Sequence, residues 1–201
     1  MKKLLSIVTL LGALSGAASA APYYSAVPAG GDLTPNDMQP VYSIEGLYSI
    51  AANSGDPDMW GVRAGLSLYS NGGDSVRHQF GLNLAAQWGE EDYVFEDYTY
   101  TTEVFMMPVT FGYDLNLELT DNVLFYLNGK IGYAWAEVED DWGSADGSGF
   151  TWSVGAGLKF QCSDAIYVKV GYEFGRTYFR EGDLDGIYGA HTITVGVGCT
   201  F

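Results

Sequence analysis

The chain contains two histidines, His78 and His191, and these are the side chains best suited to act as a catalytic base near neutral pH. A hydrolytic site built on either one would also need a nucleophile and a group that orients the base. His78 is followed by Gln79 and His191 by Thr192, and no such set can be assembled from the spacing around them. The sequence therefore predicts that the protein is not an enzyme.

A second group of candidate residues carries charges near the middles of segments that alternate between apolar and polar positions. Each charge lies on the face opposite the large apolar residues. If that apolar face contacts lipid, the charges must point inward and either pair or meet water, because a charge in lipid is costly. We expect an interior ion network that plugs the fold, and a narrow ion path is the alternative. The predicted network is Glu45, Arg63, Arg77, Lys130, Lys159, Lys169 and Glu173, in which Glu45 and Arg63 lie on adjacent segments and Glu173 lies close to Lys169.

Three smaller features complete the candidate chemistry. Arg176 takes the apolar-face position near the end of its segment, where it could contact a lipid phosphate. The acidic stretches Glu139–Asp141 and Asp183–Gly186 lack the spacing of an EF-hand loop, so we expect solvated charge and no metal or cofactor. Cys162 and Cys199 could form one disulfide, although two strand spacings, about 10 Å, would separate them unless Cys162 lies in a turn.

The beginning of the chain predicts export. Lys2 and Lys3 precede an apolar stretch that ends in a small-residue site at Ala20, which is typical of a secretory signal peptide over residues 1–20. Residues 21–40 hold four of the six prolines and are expected to form an extended N-terminal segment. After residue 20, seven basic residues face 25 acidic ones, so nucleic acid is not a predicted partner.

From Val41 to Phe201 the chain is predicted to form one all-β domain, an eight-stranded antiparallel up-and-down transmembrane barrel. No apolar run after the signal peptide approaches the roughly 18 residues of a spanning helix. The connections alternate between short turns and longer acidic links, and 15 of the 25 carboxylates fall in the links after strands 1, 3, 5 and 7. This asymmetry is typical of outer-membrane barrels. The predicted strands are 41–52, 60–69, 76–88, 103–114, 123–137, 150–160, 165–179 and 190–201.

The distribution of glycine and tryptophan indicates which face meets lipid. Nine strand glycines lie opposite the large apolar residues, as a crowded barrel interior requires: Gly65, Gly81, Gly112, Gly132, Gly155, Gly157, Gly171, Gly196 and Gly198. Aromatic residues share the apolar face near the strand ends and predict two interfacial girdles: Trp60, Trp88, Trp135 and Trp152 at one end, and Tyr113, Phe160 and Phe201 at the other. A soluble lipocalin-like carrier is the alternative that also has eight alternating strands.

Two blocks carry a resemblance to a known family. The segment MPVTFGYDLNLELTDNVLFYLNGKIGYAW, residues 107–135, resembles the central hairpin of the outer-membrane β-barrel domain family, relatives of the OmpA- and OmpX-type barrels. The last strand, closing on Phe201, resembles the C-terminal signature of that family. The resemblance implies an outer-membrane location with strand ends and the N-terminal extension in the periplasm, contact with outer-membrane lipid, and recognition of the last strand by the barrel assembly machinery.

The resemblance specifies an architecture better than an activity. We expect a porin-like surface protein with a structural or surface-interaction role, in which acidic external loops meet a host or surface ligand. A lipid-modifying barrel enzyme and a narrow pore are the alternatives. Against the enzyme, neither His78 nor His191 has the His-x-Ser arrangement of the barrel lipases that remove acyl chains from lipid A.

Overall fold

The structure, a computed structural model, describes residues 38–53, 55–71, 76–95, 98–140, 143–163 and 165–200. The predicted signal peptide, most of the predicted 21–40 extension, and Phe201 lie outside the described residues. Within the described part of the chain, no helix is long and apolar enough to cross a membrane.

Eight antiparallel strands form one closed barrel in which each strand pairs with its neighbours in sequence and β8 pairs back with β1. The predicted all-β, up-and-down, eight-stranded fold is confirmed. The first strand begins at Gln39, inside the segment predicted to be an extension. The strands are β1 (Gln39–Ala51), β2 (Met59–Asn71), β3 (Val76–Phe95), β4 (Tyr98–Thr120), β5 (Val123–Asp140), β6 (Gly143–Gln161), β7 (Ile166–Gly182) and β8 (Gly186–Thr200).

The two ends of the barrel differ in how far the strands continue. The connections after β1, β3, β5 and β7 lie at one end, called here the loop end, and the other connections lie at the turn end together with the start of β1 and the end of β8. The prediction that 89–102 and 138–149 are loops is wrong. Strands β3 and β4 stay paired from Gly89↔Val104 to Phe95↔Tyr98, and β5 and β6 stay paired to Asp140↔Gly143.

The reason for this error is composition. Acidic residues are rare in strands, and the segment after Gly89 is rich in them, but its partner strand supplies Thr101 and Thr102, which suit a pleated surface. Cross-strand hydrogen bonding therefore continues through the acidic segment. Between β7 and β8 only residues 183–185 lie outside the strands, so the predicted 180–190 loop is also mostly strand.

The alternation of side chains places the large apolar residues on the outer surface, as predicted. Leu82, Ile131 and Val195 are each more than half exposed, whereas their neighbours along the strands point into the barrel. An exposed apolar surface around a whole barrel is stable only in lipid, so this surface faces the membrane. The interior instead holds buried polar and charged side chains, among them Arg63, Lys159 and Glu173.

The interior is filled in layers. Near the loop end, an apolar cluster of Met59, Met106, Ala134, Ala136 and Phe179 packs across the lumen. Near the turn end, the phenol rings of Tyr126 and Tyr167 occupy space that glycines leave open. A Cβ at Gly171 would overlap the Tyr126 hydroxyl, and a Cβ at Gly198 would overlap the Tyr167 ring. The predicted interior role of these two glycines is confirmed by this close approach.

Candidate functional site in the barrel interior

Between the apolar cluster and the tyrosines, buried charged side chains form one continuous row of alternating sign. Four cations and three carboxylates follow one another across the lumen, each cation within 4.0 Å of a neighbouring carboxylate. Such a row satisfies most of the charge that the lipid-enclosed interior would otherwise leave uncompensated. In order from the loop end it consists of Lys130, Glu173, Arg63, Glu45, Lys169, Asp114 and Lys159.

Arg63 holds the centre of this row. Its guanidinium makes a bidentate contact with Glu173, with Nη1 to Oε2 at 2.9 Å and Nη2 to Oε1 at 3.2 Å. The same Nη2 lies 3.0 Å from Oε2 of Glu45, the residue directly opposite Arg63 in the β1–β2 ladder. Glu173 also accepts from Lys130 at 2.5 Å and Asn128 at 3.1 Å. Since β8 and β1 lie between β7 and β2, the Arg63–Glu173 pair joins two non-adjacent strands across the lumen.

The turn-end half of the row is centred on Asp114, which the sequence reasoning missed. Lys159 donates to Asp114 at 2.8 Å and to the side-chain oxygens of Gln79 and Asn116 at 2.8 and 2.6 Å. Lys169 Nζ lies 3.2 Å from Glu45 and 3.9 Å from Asp114, above the ring of Tyr126. The alternation of faces along β4 could have identified Asp114, because it lies two residues after Gly112 and therefore on the same, inward-facing side of the strand.

Two details of the predicted network are wrong. Lys169 pairs with Glu45 and Asp114, and the partners of Glu173 are Arg63 and Lys130. Arg77 lies apart from the row at the turn end, half-buried, where it bonds Glu118 at 3.0 Å and the Tyr69 hydroxyl at 3.1 Å. The predicted network named the cations at the lumen centre and the Glu45–Arg63 neighbours correctly, but it assigned Glu173 the wrong neighbour.

The charged row separates two small interior cavities. A cavity of about 90 Å³ lies toward the loop end and is lined in part by Arg63, Gln87 and Thr151. A second cavity of about 20 Å³ lies toward the turn end beside Glu45 and Asp114. Each is large enough for water. Together, the charges and their side-chain partners form a plug with water-sized spaces above and below it.

The outer surface carries the predicted aromatic residues at both ends. At the loop end, Trp60 packs against Trp88 with ring centroids 5.0 Å apart and the rings tilted by 32°, and the ring centroids of Trp88 and Phe105 are 5.7 Å apart. Trp135 and Trp152 project from β5 and β6, against Tyr133 and Phe174 respectively. Toward the turn end, Tyr113 and Phe160 are both exposed.

Each histidine lies on the outer surface against a tyrosine. His78 Nδ1 is 2.7 Å from the Tyr113 hydroxyl, and His191 Nδ1 is 2.5 Å from the Tyr172 hydroxyl. The rings of each pair are also stacked. Within the described residues, no cluster of His, Cys, Asp or Glu could hold a metal ion.

The remaining candidate residues lie near the barrel ends. Cys162 and Cys199 are free thiols at the turn end, on either side of Ile166, which pairs with Cys199 and accepts a hydrogen bond from the Cys162 amide. Arg176 is exposed on β7 near the loop end, with its guanidinium carbon 5.7 Å from the centre of the Phe174 ring.

Comparisons with known proteins agree with this architecture. A family model described as "Outer membrane protein beta-barrel domain" matches residues 6–201. The fold resembles Neisserial surface protein A, with 12% identity and a TM-score of 0.56 over 82% of this chain and 97% of that one. It also resembles Ail, the attachment invasion locus protein of Yersinia pestis, with 16% identity and a TM-score of 0.48 over 82% of this chain and 97% of that one. No curated protein matches the chain in sequence.

Proposed function

Because this chain belongs to the outer membrane protein β-barrel domain family and lies in the outer membrane, we propose that it is a surface-interaction protein whose acidic loop end faces outward and binds a cationic partner. The plugged lumen serves as a rigid support for that end. The function therefore depends on what the strands present beyond the aromatic girdle.

The orientation follows from the asymmetry of the ends. Outer-membrane barrels have short periplasmic turns and longer external connections. Here β3 and β4 continue to Phe95 and Tyr98 at the loop end, whereas Thr120 and Val123 are joined by a two-residue turn at the other. This difference supports placing the loop end outside the cell and the two chain ends of the barrel in the periplasm.

One observation carries the proposal: a row of three exposed carboxylates on three adjacent strands. Glu90 is directly opposite Glu103, and Glu103 is directly opposite Glu139. Opposite residues point to the same side of a sheet, so the three carboxylates stand next to one another. They lie one pleat beyond Trp88 and Phe105. Like charges directly opposite one another destabilise a sheet, which a cationic partner would reverse.

The edge of β3 adds a second means of contact. The β2–β3 ladder ends at the Met59↔Gly89 pair, and in the described residues 90–95 pair only with β4. Among the residues that the structure describes, no strand pairs with the other side of 90–95, so its backbone groups there are available beside the carboxylate row. An extended cationic segment could add to this edge while its side chains meet the carboxylates.

The alternatives have less support. A pore would need a continuous water path, but the charged row and the apolar cluster both cross the lumen. A lipid-modifying enzyme would need a nucleophile beside a histidine, and Tyr113 and Tyr172 occupy that position. A soluble lipocalin-like carrier has less support than a membrane barrel, because the outer surface of the barrel is apolar.

The test uses the full chain folded into phosphatidylcholine nanodiscs and a lysine-rich extended peptide as the probe. The triple variant Glu90→Gln/Glu103→Gln/Glu139→Gln should weaken binding about tenfold, at about 0.5 kcal/mol for each exposed ion pair. Binding by the parent should also fall as salt is raised.

The matched control removes three other carboxylates from the loop end, Asp56→Asn/Asp183→Asn/Asp185→Asn. It changes the net charge equally but leaves the row intact, so we expect a much smaller effect. Equal losses in the two triple variants would contradict a defined site, and a parent that does not bind the peptide would contradict the proposal.

A further inference from the structure

The basic residues of the barrel fall into two groups, those that pair with carboxylates and those that do not. Seven basic residues follow residue 20, and five of them point into the barrel or pair at its turn end: Arg63, Arg77, Lys130, Lys159 and Lys169. Each of these five contacts a carboxylate within 4.0 Å. The other two, Arg176 and Arg180, are exposed on β7, and in the described part of the chain neither forms a salt bridge.

Arg180 lines a groove on the outer surface of β5, β6 and β7. The groove has a volume of about 390 Å³ and is lined by Tyr133, Ser148, Gly149, Phe150, Tyr178, Arg180 and Glu181. Arg176 lies on the same face of β7, two residues before Tyr178 and directly opposite Trp152 on β6, with its guanidinium carbon 5.7 Å from the centre of the Phe174 ring. Tyr178 therefore lies between the two arginines along β7.

A β-bulge places Arg180 at this groove. Ser148 pairs with Glu181 and Gly149 pairs with Phe179, so Arg180 is the extra residue on β7. Bulges of this kind re-aim side chains and recur next to functional sites. Phe179 still points inward, into the apolar cluster, while Arg180 is left exposed beside Tyr178.

Glu181, the carboxylate that lines the groove, is held on the side formed by β5 and β6. Glu181 accepts hydrogen bonds from the Tyr133 hydroxyl at 2.7 Å and the Ser148 hydroxyl at 3.4 Å. These bonds tie Glu181 toward β5 and β6. Arg176 and Arg180 lie on β7 on either side of Tyr178, and in the described part of the chain no salt bridge joins either of them to Glu181.

The groove is also continuous with the lipid-facing surface. Phe150 lines it and is 49% exposed, and Val154 and Ile187, nearby on β6 and β8, are 52% and 50% exposed. Trp152 lies at the same level, where amphipathic rings mark the membrane interface. A ligand here would place an anionic group against the arginines and apolar chains against the barrel wall.

We propose that this groove binds the phosphorylated headgroup of an outer-leaflet lipid, with Arg176 and Arg180 donating to the phosphate and Phe150 and Val154 contacting an acyl chain. Guanidinium groups match phosphate oxygens in geometry and charge. A lipid is favoured over free phosphate because the apolar wall beside the arginines can contact an acyl chain, and an inorganic ion has no apolar part to contact it. The carboxylate row on β3, β4 and β5 would repel the same headgroup.

The test measures diphosphoryl lipid A retained by the full chain in phosphatidylcholine nanodiscs, using native mass spectrometry. The double variant Arg176→Gln/Arg180→Gln should reduce retention at least about tenfold, since hydrogen bonds to charged groups are the strong class. The matched control is Arg77→Gln, which removes one positive charge at the turn end. It should retain the lipid as the parent does, and Glu181→Gln should retain at least as much.

Further arms distinguish the sources of the anion. Lipid A stripped of its phosphates should not be retained, and millimolar inorganic phosphate should not displace the bound lipid. The proposal is overturned by equal retention in the double variant and the parent, by equal retention of the dephosphorylated lipid, or by displacement with inorganic phosphate. Loss of the lipid on chelation of divalent cations, with no effect of the arginine substitutions, would assign the binding to the carboxylate row and also overturn it.

Discussion

Lys169 is the residue whose substitution tests the interior network most severely. Its ammonium lies 3.2 Å from Glu45 and 3.9 Å from Asp114, and the side chain is 6% exposed. The variant Lys169→Glu would replace this cation with a third carboxylate beside two others in a lipid-enclosed lumen. Breaking a buried pair and leaving its partner uncompensated costs about 3 to 5 kcal/mol. With a urea slope of about 2 kcal/mol/M, the unfolding midpoint should fall by about 2 M.

The assay is urea unfolding of the barrel in phosphatidylcholine vesicles, followed by the difference in gel migration between unheated and heated samples. Arg77→Gln serves as the control, because the Arg77–Glu118 pair is partly exposed and such pairs contribute about 0 to 1 kcal/mol. A Lys169→Glu variant as resistant to urea as the parent would refute the argument and indicate that the row is open to water.

Three further predictions concern other parts of the barrel. Deleting Phe201, which lies outside the described residues, should lower the amount of inserted barrel and leave chain in the periplasm, as fractionation would show; normal insertion would contradict a role in assembly. Replacing residues 91–102 with a short turn should leave the heat-dependent gel shift intact, since that hairpin lies beyond the barrel ring, and should weaken binding of the lysine-rich peptide, because it removes the β3 edge but keeps the carboxylate row; loss of the barrel would place the hairpin within the folding core. Gly171→Ala should lower stability by about 1 to 3 kcal/mol because its methyl group would meet the Tyr126 hydroxyl, and Tyr126→Phe should relieve most of that loss; equal urea midpoints for Gly171→Ala and the parent would show that the ring moves freely.

The alternation of apolar and polar residues, with a period of two, predicts the fold because it determines which face of each strand a residue occupies. It placed Ile131 and Val195 outward and Glu45 and Lys130 inward, and it fixed the number of strands. It does not determine which residues meet across the lumen. The contact between Arg63 on β2 and Glu173 on β7 depends on barrel closure and side-chain length, and neither is encoded locally.

The errors have the same physical origin. Lys169 and Glu173 are close in sequence and share a face, yet Glu173 bonds Lys130 and Arg63 because these side chains reach the same level of the lumen. Asp114 was overlooked because it lies near a predicted strand end, although β4 continues to Thr120. Local acidity likewise obscured the strand pairing beyond Gly89, which tertiary hydrogen bonding supports.

Surface interaction through the carboxylate row requires the loop end to face out of the cell. The orientation of the barrel can be measured directly from the accessibility of one thiol at each end. Cys162 is an exposed thiol at the turn end, and Glu91→Cys would place a thiol on the extended β3 strand at the loop end. A membrane-impermeant maleimide applied to intact cells should label the Glu91→Cys variant at that position and leave Cys162 unlabelled until the outer membrane is permeabilised. Labelling of Cys162 on intact cells, with Glu91→Cys protected, would contradict the account.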